Sequence, residues 1–165
     1  MNTIFLYNGD RSDPEVGMEH STILEAVELF EGATPQEISS VAALCQERTF
    51  AKGDIVTAQG DPGDELFVVC EGFVEVLRAG VPPEQAPRTV VHLGAGQIFG
   101  EMALVDRGPR SATVKAAADE TRVLVIQQDA FERLCEQNHH LGYIVMRNIA
   151  ADLSFKLRHH HLTGR

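Results

Sequence analysis

The chain has 165 residues, with 24 acidic against 14 basic side chains and a net charge of −10. That length suits one domain with modest extensions, and so acidic a surface disfavours nucleic acid and anionic membrane as partners. No apolar run approaches the roughly 20 residues that cross a bilayer, and the first residues lack the basic stretch, apolar core and small-residue cleavage site of a signal peptide, so a cytoplasmic protein with no membrane insertion and no bound DNA is expected.

Residues 1–19 hold Asn8-Gly9-Asp10 and Asp13-Pro14 and are expected to form a flexible arm. Ile23, Leu24, Val27, Leu29 and Phe30 predict a short helix within 21–30. Thr34-Pro35-Gln36-Glu37 then reads as a helix start. Thr34 caps, Pro35 suits the first helical position, and Glu37 completes a capping box. Ile38, Val41, Ala42 and Cys45 fall on one face, which predicts that this helix runs to about residue 47. The N-terminal helices thus span 21–47.

From residue 50 the period changes. Short β-rich runs at Ile55, 66–69, 74–77, 90–93, 112–114 and 123–126 alternate with glycine turns such as Lys52-Gly53-Asp54, Gly60-Asp61-Pro62-Gly63-Asp64 and Gly94-Ala95-Gly96. That spacing predicts an antiparallel β-sandwich or barrel over 50–127. Residues 79–88 hold three prolines and read as an exposed hairpin loop. Asp129 is placed to cap a short helix through about 136, and a longer helix follows over 138–160, so helices occupy 129–160. Leu141, Val145, Ile149, Leu153 and Leu157 recur every four residues along it. That stripe is expected to pack on the β unit and on a second copy of the chain, giving a homodimer through 138–160. Cys45, Cys70 and Cys135 are scattered and odd in number, and read as reduced thiols packed like small apolar groups.

Residues 99–114, FGEMALVDRGPRSATV, carry the parts of a small-anion pocket. Arg110 offers a planar fork of donors suited to phosphate. Gly100 has no Cβ, so a ligand can approach the backbone. Residues 101–104 can form one helical turn whose free N–H groups face the same anion. Glu101 repels a phosphate but accepts well from neighbouring hydroxyls. One negative charge beside a sugar hydroxyl describes a nucleotide cyclised through its phosphate. Arg107, in the turn, reads as solvated.

The stretch resembles the phosphate-binding cassette of the cyclic nucleotide-binding domain family, the domain of catabolite activator and protein kinase A regulatory-subunit type. The matching residues are Phe99-Gly100-Glu101, Met102-Ala103-Leu104, Pro109-Arg110, Ser111-Ala112 and Thr113. Upstream, the glycine turns from Lys52 to Asp64, with Leu66-Phe67-Val68-Val69 and Gly72-Phe73-Val74-Glu75-Val76, are similar to the family's β-roll. The resemblance implies an α+β fold: an antiparallel, jelly-roll-like β-roll of about eight strands, with N-terminal helices and a long C-terminal helix, together forming a domain over 20–165. It implies that Glu101 accepts from the ribose 2′-hydroxyl and Arg110 pairs with the cyclic phosphate. Ser111 adds a hydroxyl, the amides of Met102 and Ala103 cap the phosphate, and Gly100 gives access.

Family members that regulate transcription continue into a helix-turn-helix domain and place a hydroxyl residue on the long helix against the base. Here the sequence ends soon after the helix, which is expected to leave a stand-alone module, and Ser154 is the nearest hydroxyl in Leu153-Ser154-Phe155-Lys156-Leu157. The β-roll turns and the long helix resemble those of the bacterial cyclic AMP receptors, which favours cyclic AMP over cyclic GMP, and with the base held mainly by apolar contact the margin is expected to be small. The implied function is a regulatory sensor acting through its flanking helices on an unidentified output protein. The alternatives are a ligand-blind pseudo-receptor serving as a dimerisation piece, or a receptor for another nucleotide such as a cyclic dinucleotide. Catalysis is not expected. His92 alone among the strands cannot build a cupin-type metal site, there is no phosphate-binding Walker loop or nucleophile elbow, and no cofactor or metal is called for.

Overall fold

The computed structural model describes residues 5–6, 14–79 and 86–160. The strands are β1 (Phe5–Leu6), β2 (Gln46–Phe50), β3 (Ile55–Thr57), β4 (Glu65–Glu71), β5 (Phe73–Arg78), β6 (Arg88–Gly94), β7 (Ile98–Phe99), β8 (Thr113–Ala116) and β9 (Thr121–Gln127). The helices are α1 (Pro14–Glu25), α2 (Pro35–Ala42), α3 (Ala103–Asp106), α4 (Gln128–Gln137) and α5 (His139–His160), with a 3-10 turn at Glu28–Phe30. One sheet has the order β1-β2-β9-β4-β7 and the other β3-β8-β5-β6, and every recorded strand pair is antiparallel. The expected α+β class is the observed one: a β-roll with helices at its N-terminal side and a long helix at its C-terminal end.

β4 and β9 pair in the middle of the first sheet, Leu66 opposite Ile126 and Val68 opposite Leu124. Successive side chains on a strand point to opposite faces. Leu66, Val68, Leu124 and Ile126 join a core with Leu24, Val41, Phe131, Leu141 and Val145 from the helices. Phe67, Val69, Val123 and Val125 join a second core with Val74, Phe99, Val114 and Ala116 between the sheets. Both faces are covered, which is why these runs read as unbroken apolar sequence instead of alternation. Burying each such side chain stabilises the fold by about 1.5–3 kcal/mol.

The capping box at Thr34 is present: the Glu37 N–H donates to Thr34 Oγ1 at 3.3 Å and the Thr34 N–H to Glu37 Oε2 at 2.8 Å. Several boundaries differ from expectation. Part of the expected arm over 1–19 is helical, because α1 already begins at Pro14, where proline suits a helix start; residues 1–4 and 7–13 of that arm lie outside the described residues. The helix expected to reach 47 ends at Ala42, and Gln46–Phe50 is strand β2, paired with β9 from Gln46↔Val125 to Phe50↔Thr121. The helical region 21–47 and the roll 50–127 therefore meet near residue 46, since cross-strand pairing overrides a polar strand's weak local signal. β1 and β7, two residues each, bring the described strands to nine. The region 129–160 starts one residue early, with Gln127 at the cap position of α4, no side-chain cap bond there and Asp129 inside its first turn. Asn138 caps α5 instead, its Oδ1 accepting from the Leu141 N–H at 3.1 Å. Of the expected 79–88 loop, residues 80–85 lie outside the described residues.

The stripe on α5 divides. Leu141, Val145 and Ile149 are buried, whereas Leu153 and Leu157 are 38% and 63% exposed. Steps of four residues advance about 40° around a helix of 100° per residue, so by Leu157 the row has turned about 160° from Leu141. The first three belong to the domain's own core and are not free to meet a second copy. Burial pushes the thiols of Cys45 to about 12 and of Cys70 and Cys135 to about 11, as suits inert, packed groups. Among the described residues, no helix is long and apolar enough to cross a membrane.

Candidate functional site

The turn at residues 60–64 holds Arg110 by its main chain. The Arg110 N–H donates to Asp61 O at 2.8 Å, and the Gly60 N–H donates to Arg110 O at 2.9 Å. A Cβ added at Gly63 would meet the Arg110 side chain at 3.3 Å. On the other side Gly100 adopts φ +81°, and a Cβ there would lie 2.7 Å from both Arg110 Nη1 and Glu65 O. Two glycines thus open the corridor along which the guanidinium passes. Arg110 Nη1 donates to Glu65 O at 2.9 Å, and its guanidinium carbon lies 5.4 Å from the centre of the Phe67 ring. Phe67 in turn stacks on Phe99 with centroids 4.6 Å apart.

No carboxylate neutralises this cation by direct contact among the described residues. The Glu65 side chain turns away, accepting from Arg48 at 2.6 Å and Gln127 at 2.7 Å, so only its carbonyl serves Arg110. Burial lowers the pKa of Arg110, against the raising influence of Glu65 and Asp64. It stays charged at neutral pH, since arginine begins from so high a value. The result is a half-buried guanidinium with donors to spare.

Gly100, Glu101, Met102, Ala103, Arg110 and Ser111 all line one cavity of about 200 Å³, walled on its apolar side by residues such as Val76, Val91 and Leu93. All six expected site residues are therefore brought together. Glu101 is half-buried, and its carboxylate has no bonded partner among the described residues. The helical turn begins later than expected, at Ala103 and not at 101, and the Ala103 N–H already donates to Gly100 O at 3.2 Å. Arg107 adopts φ +52° and pairs with Glu132 and, at 3.3 Å, with Asp129 on α4. It is exposed, as expected, but ion-paired.

The lining residues outside the cassette escaped the sequence reading, and one of them comes from the long helix. Lys156 of α5 borders the cavity, and Ser154 does not. The signal was present in the phase of the helix: Lys156 lies seven residues past the buried Ile149 and so within about 20° of it around the helix axis, though itself exposed.

The chemistry available is a cation with free donors, a carboxylate acceptor and an apolar wall, in one recess. Residues 47–138, more than half of the chain, match the sequence profile of the cyclic nucleotide-binding domain. A cyclic AMP receptor protein from Thermus thermophilus is 33% identical over 133 residues, 78% of this chain and 61% of that protein. Glutaminase 1 of Bradyrhizobium diazoefficiens is 34% identical over 155 residues, 93% of this chain and 23% of that protein. The chain thus spans less than two thirds of either relative. A solved cyclic nucleotide-binding domain from Methylobacillus flagellatus shares the fold with a TM-score of 0.76 at 26% identity, covering 94% of this chain and 84% of that one. With its cassette, its roll and its helices in the family's order, the chain belongs to the cyclic nucleotide-binding domain family.

Proposed function

We propose that the chain is a cytoplasmic receptor module for a 3′,5′-cyclic mononucleotide, favouring cyclic AMP modestly over cyclic GMP. The observation that carries this reading is the half-buried Arg110 guanidinium, free of any carboxylate contact among the described residues and sharing a cavity with the unbonded Glu101. Arg110 takes the cyclic phosphate with its fork, Ser111 adds a hydroxyl donor, and the Met102 amide completes the cap, whereas the expected Ala103 amide is already given to Gly100 O. Glu101 accepts from the ribose 2′-hydroxyl. The likeness to a cyclic AMP receptor protein supports adenine. Such a site binds; the family is a regulatory one. A ligand-blind dimerisation piece would have no use for the Arg110 and Glu101 arrangement.

The output travels through the helices. Gln128 Nε2 donates to Ala103 O, and Arg107 reaches Glu132, so both ends of α3 are tied to α4. A ligand that draws the cassette inward acts on α4 and α5 through these bonds, provided it prefers one arrangement over the other. An output protein, or a further segment of a longer chain, receives that movement.

A homodimer belongs to the same proposal, on a face different from the expected stripe. Tyr143, Met146, Ala150, Leu153 and Leu157 are exposed on α5. Their spacing of three, four, three and four residues is the a/d repeat of a coiled coil, and it faces away from the core. A second copy of α5 fits that seam. Calorimetric titration with cyclic AMP tests the receptor: one site per chain is expected, and no heat or competition at millimolar nucleotide would end the reading. Sedimentation of the parent and of Leu153→Glu tests the seam: a dimer becoming a monomer is expected, and a parent already monomeric at tens of micromolar removes it.

A further inference from the structure

Glu65 serves two arginines at once. Its carbonyl accepts from Arg110 Nη1 at 2.9 Å. Its carboxylate is drawn the other way. Arg48 of β2 donates from Nη2 to Oε1 at 2.6 Å and from Nη1 to Oε2 at 3.3 Å, and Gln127 of β9 donates to Oε1 at 2.7 Å. The Arg48 and Glu65 side chains are only 22% and 17% exposed, so this two-pronged pair is shielded from water and firmly held.

The strand itself does not dictate that division. Glu65 and Phe67 are two apart on β4, so their side chains leave the same face of the sheet. The Phe67 ring on that face lies 5.4 Å from the Arg110 guanidinium carbon. A long, flexible side chain leaving the same face has Arg110 within its range of rotamers. Burial lowers the Arg110 pKa most, and the charge of Glu65 is the first to oppose it. A carboxylate set loose in so shielded a place is costly to leave unpaired, and the half-buried guanidinium is the cation at hand. We propose, on the reading of Arg110 as the phosphate contact, that Arg48 and Gln127 are positioning residues for nucleotide binding: they hold the Glu65 carboxylate off Arg110 and so keep the chain's own anion out of the place of the ligand's phosphate. Without that hold Glu65 closes onto Arg110, and the apparent affinity falls with the fraction of molecules left open. Such a block slows association and leaves dissociation alone, because a bound phosphate has already displaced the carboxylate. A distorted pocket instead speeds dissociation, where most changes to a binding surface act.

The experiment is stopped-flow binding of a fluorescent cyclic AMP analogue to the full chain and its variants. Arg48→Met keeps a long side chain and removes the charge. It should weaken binding about tenfold, with the whole loss in the association rate. Adding Glu65→Gln removes the competing anion and keeps the carbonyl that holds Arg110. The double variant Arg48→Met, Glu65→Gln should therefore return to within about twofold of the parent. If Arg48→Met does not fold, Gln127→Leu releases the carboxylate from its other hold. A loss of about fourfold in association is then expected, again removed by Glu65→Gln. A loss that appears as faster dissociation, or that survives Glu65→Gln, shows a distorted strand and overturns the proposal. Parent-like binding by a folded Arg48→Met, or by Gln127→Leu where that variant stands in, also overturns it and leaves the receptor reading intact. If the parent binds no cyclic nucleotide, the receptor reading falls and takes this proposal with it.

Discussion

Arg110 and Arg122 place the same side chain in opposite surroundings. Arg122, on β9, reaches Glu19 at 2.7 Å, Glu71 at 3.1 Å and Glu47 at 3.2 Å, joining α1, β2 and the end of β4. Arg110 receives a carbonyl and a ring face. Burial works to lower the pKa of both. At Arg122 the Glu19 bond and the charges of Glu47, Glu19 and Glu71 overcome it and raise the pKa, whereas at Arg110 burial prevails and lowers it. Evolved folds rarely leave a half-buried cation short of anions. The difference marks Arg122 as a structural clamp and supports the proposal that Arg110 awaits an external anion. That is the proposed physical distinction between frame and site.

The largest expected effect separates the two by substitution. Arg110→Ala should cost about 2–5 kcal/mol of nucleotide binding, thirtyfold or more in affinity, because it removes a charge-assisted contact in a partly desolvated pocket. Its melting temperature should stay near the parent's. Arg122→Ala should do the reverse: it leaves Glu47 among other carboxylates and should cost about 1–3 kcal/mol of stability. That figure is held down by the solvent around Glu19 and Glu71. Titration and chemical denaturation on both variants decide the matter. If Arg110→Ala destabilises the protein as much as Arg122→Ala while binding as the parent does, the distinction collapses.

Gly100→Ala is the next test, and it strikes frame and site together. The added Cβ would meet Arg110 Nη1 and Glu65 O at 2.7 Å, in a backbone at φ +81°. The main chain at Glu65 belongs to a central strand and cannot yield easily, so the guanidinium must move. A stability loss of about 1–2 kcal/mol is expected from the backbone conformation, together with weaker nucleotide binding. Gly53→Ala serves as the control. Its φ is +91° but nothing lies within 4 Å of the added Cβ, so it should lose similar stability and no binding. Equal binding losses in the two would show that Gly100 supplies only a turn.

How far sequence reached depends on the range of the interaction involved. The capping box at Thr34 and Glu37 is local, spanning three residues, and it was legible. So was the grouping of the six cassette residues around one cavity, because they lie within twelve positions of one another. β2 was not, since Gln46-Glu47-Arg48-Thr49 has little apolar signal and becomes a strand only through β9, some 75 residues away. The partners of Arg107 were missed for the same reason, as Glu132 comes from α4. The stripe on α5 failed differently. A row at every fourth residue looks like one face over two turns and is no longer one over four. Counting phase instead of spacing puts Lys156 with Ile149 and sets Leu153 and Leu157 with Met146 on the outer seam.

The smallest effect belongs to a carboxylate that is the converse of Glu101. Glu37 is only 5% exposed, yet it lines no part of the cavity. Burial pushes its carboxyl up, but the Thr34 N–H, the His140 ring, Asn138 and the Thr34 hydroxyl together outweigh burial and leave the pKa below its ordinary 4.5. His140 Nδ1 lies 2.8 Å from Glu37 Oε1 and so ties α5 to α2. A carboxyl with a lowered folded pKa contributes stability that is fully present above its unfolded value and is lost as pH falls through the folded one. Glu37→Gln should therefore be less stable than the parent by about 1 kcal/mol at pH 7. The two denaturation curves should converge as pH drops from about 5 towards 3. Nucleotide affinity at pH 7 should be the same in both, because every bond of this carboxylate is already made within the protein. A gap that persists unchanged to pH 3 would mean that Glu37 acts through its shape and not its charge, and a shift in affinity would place it in the site after all.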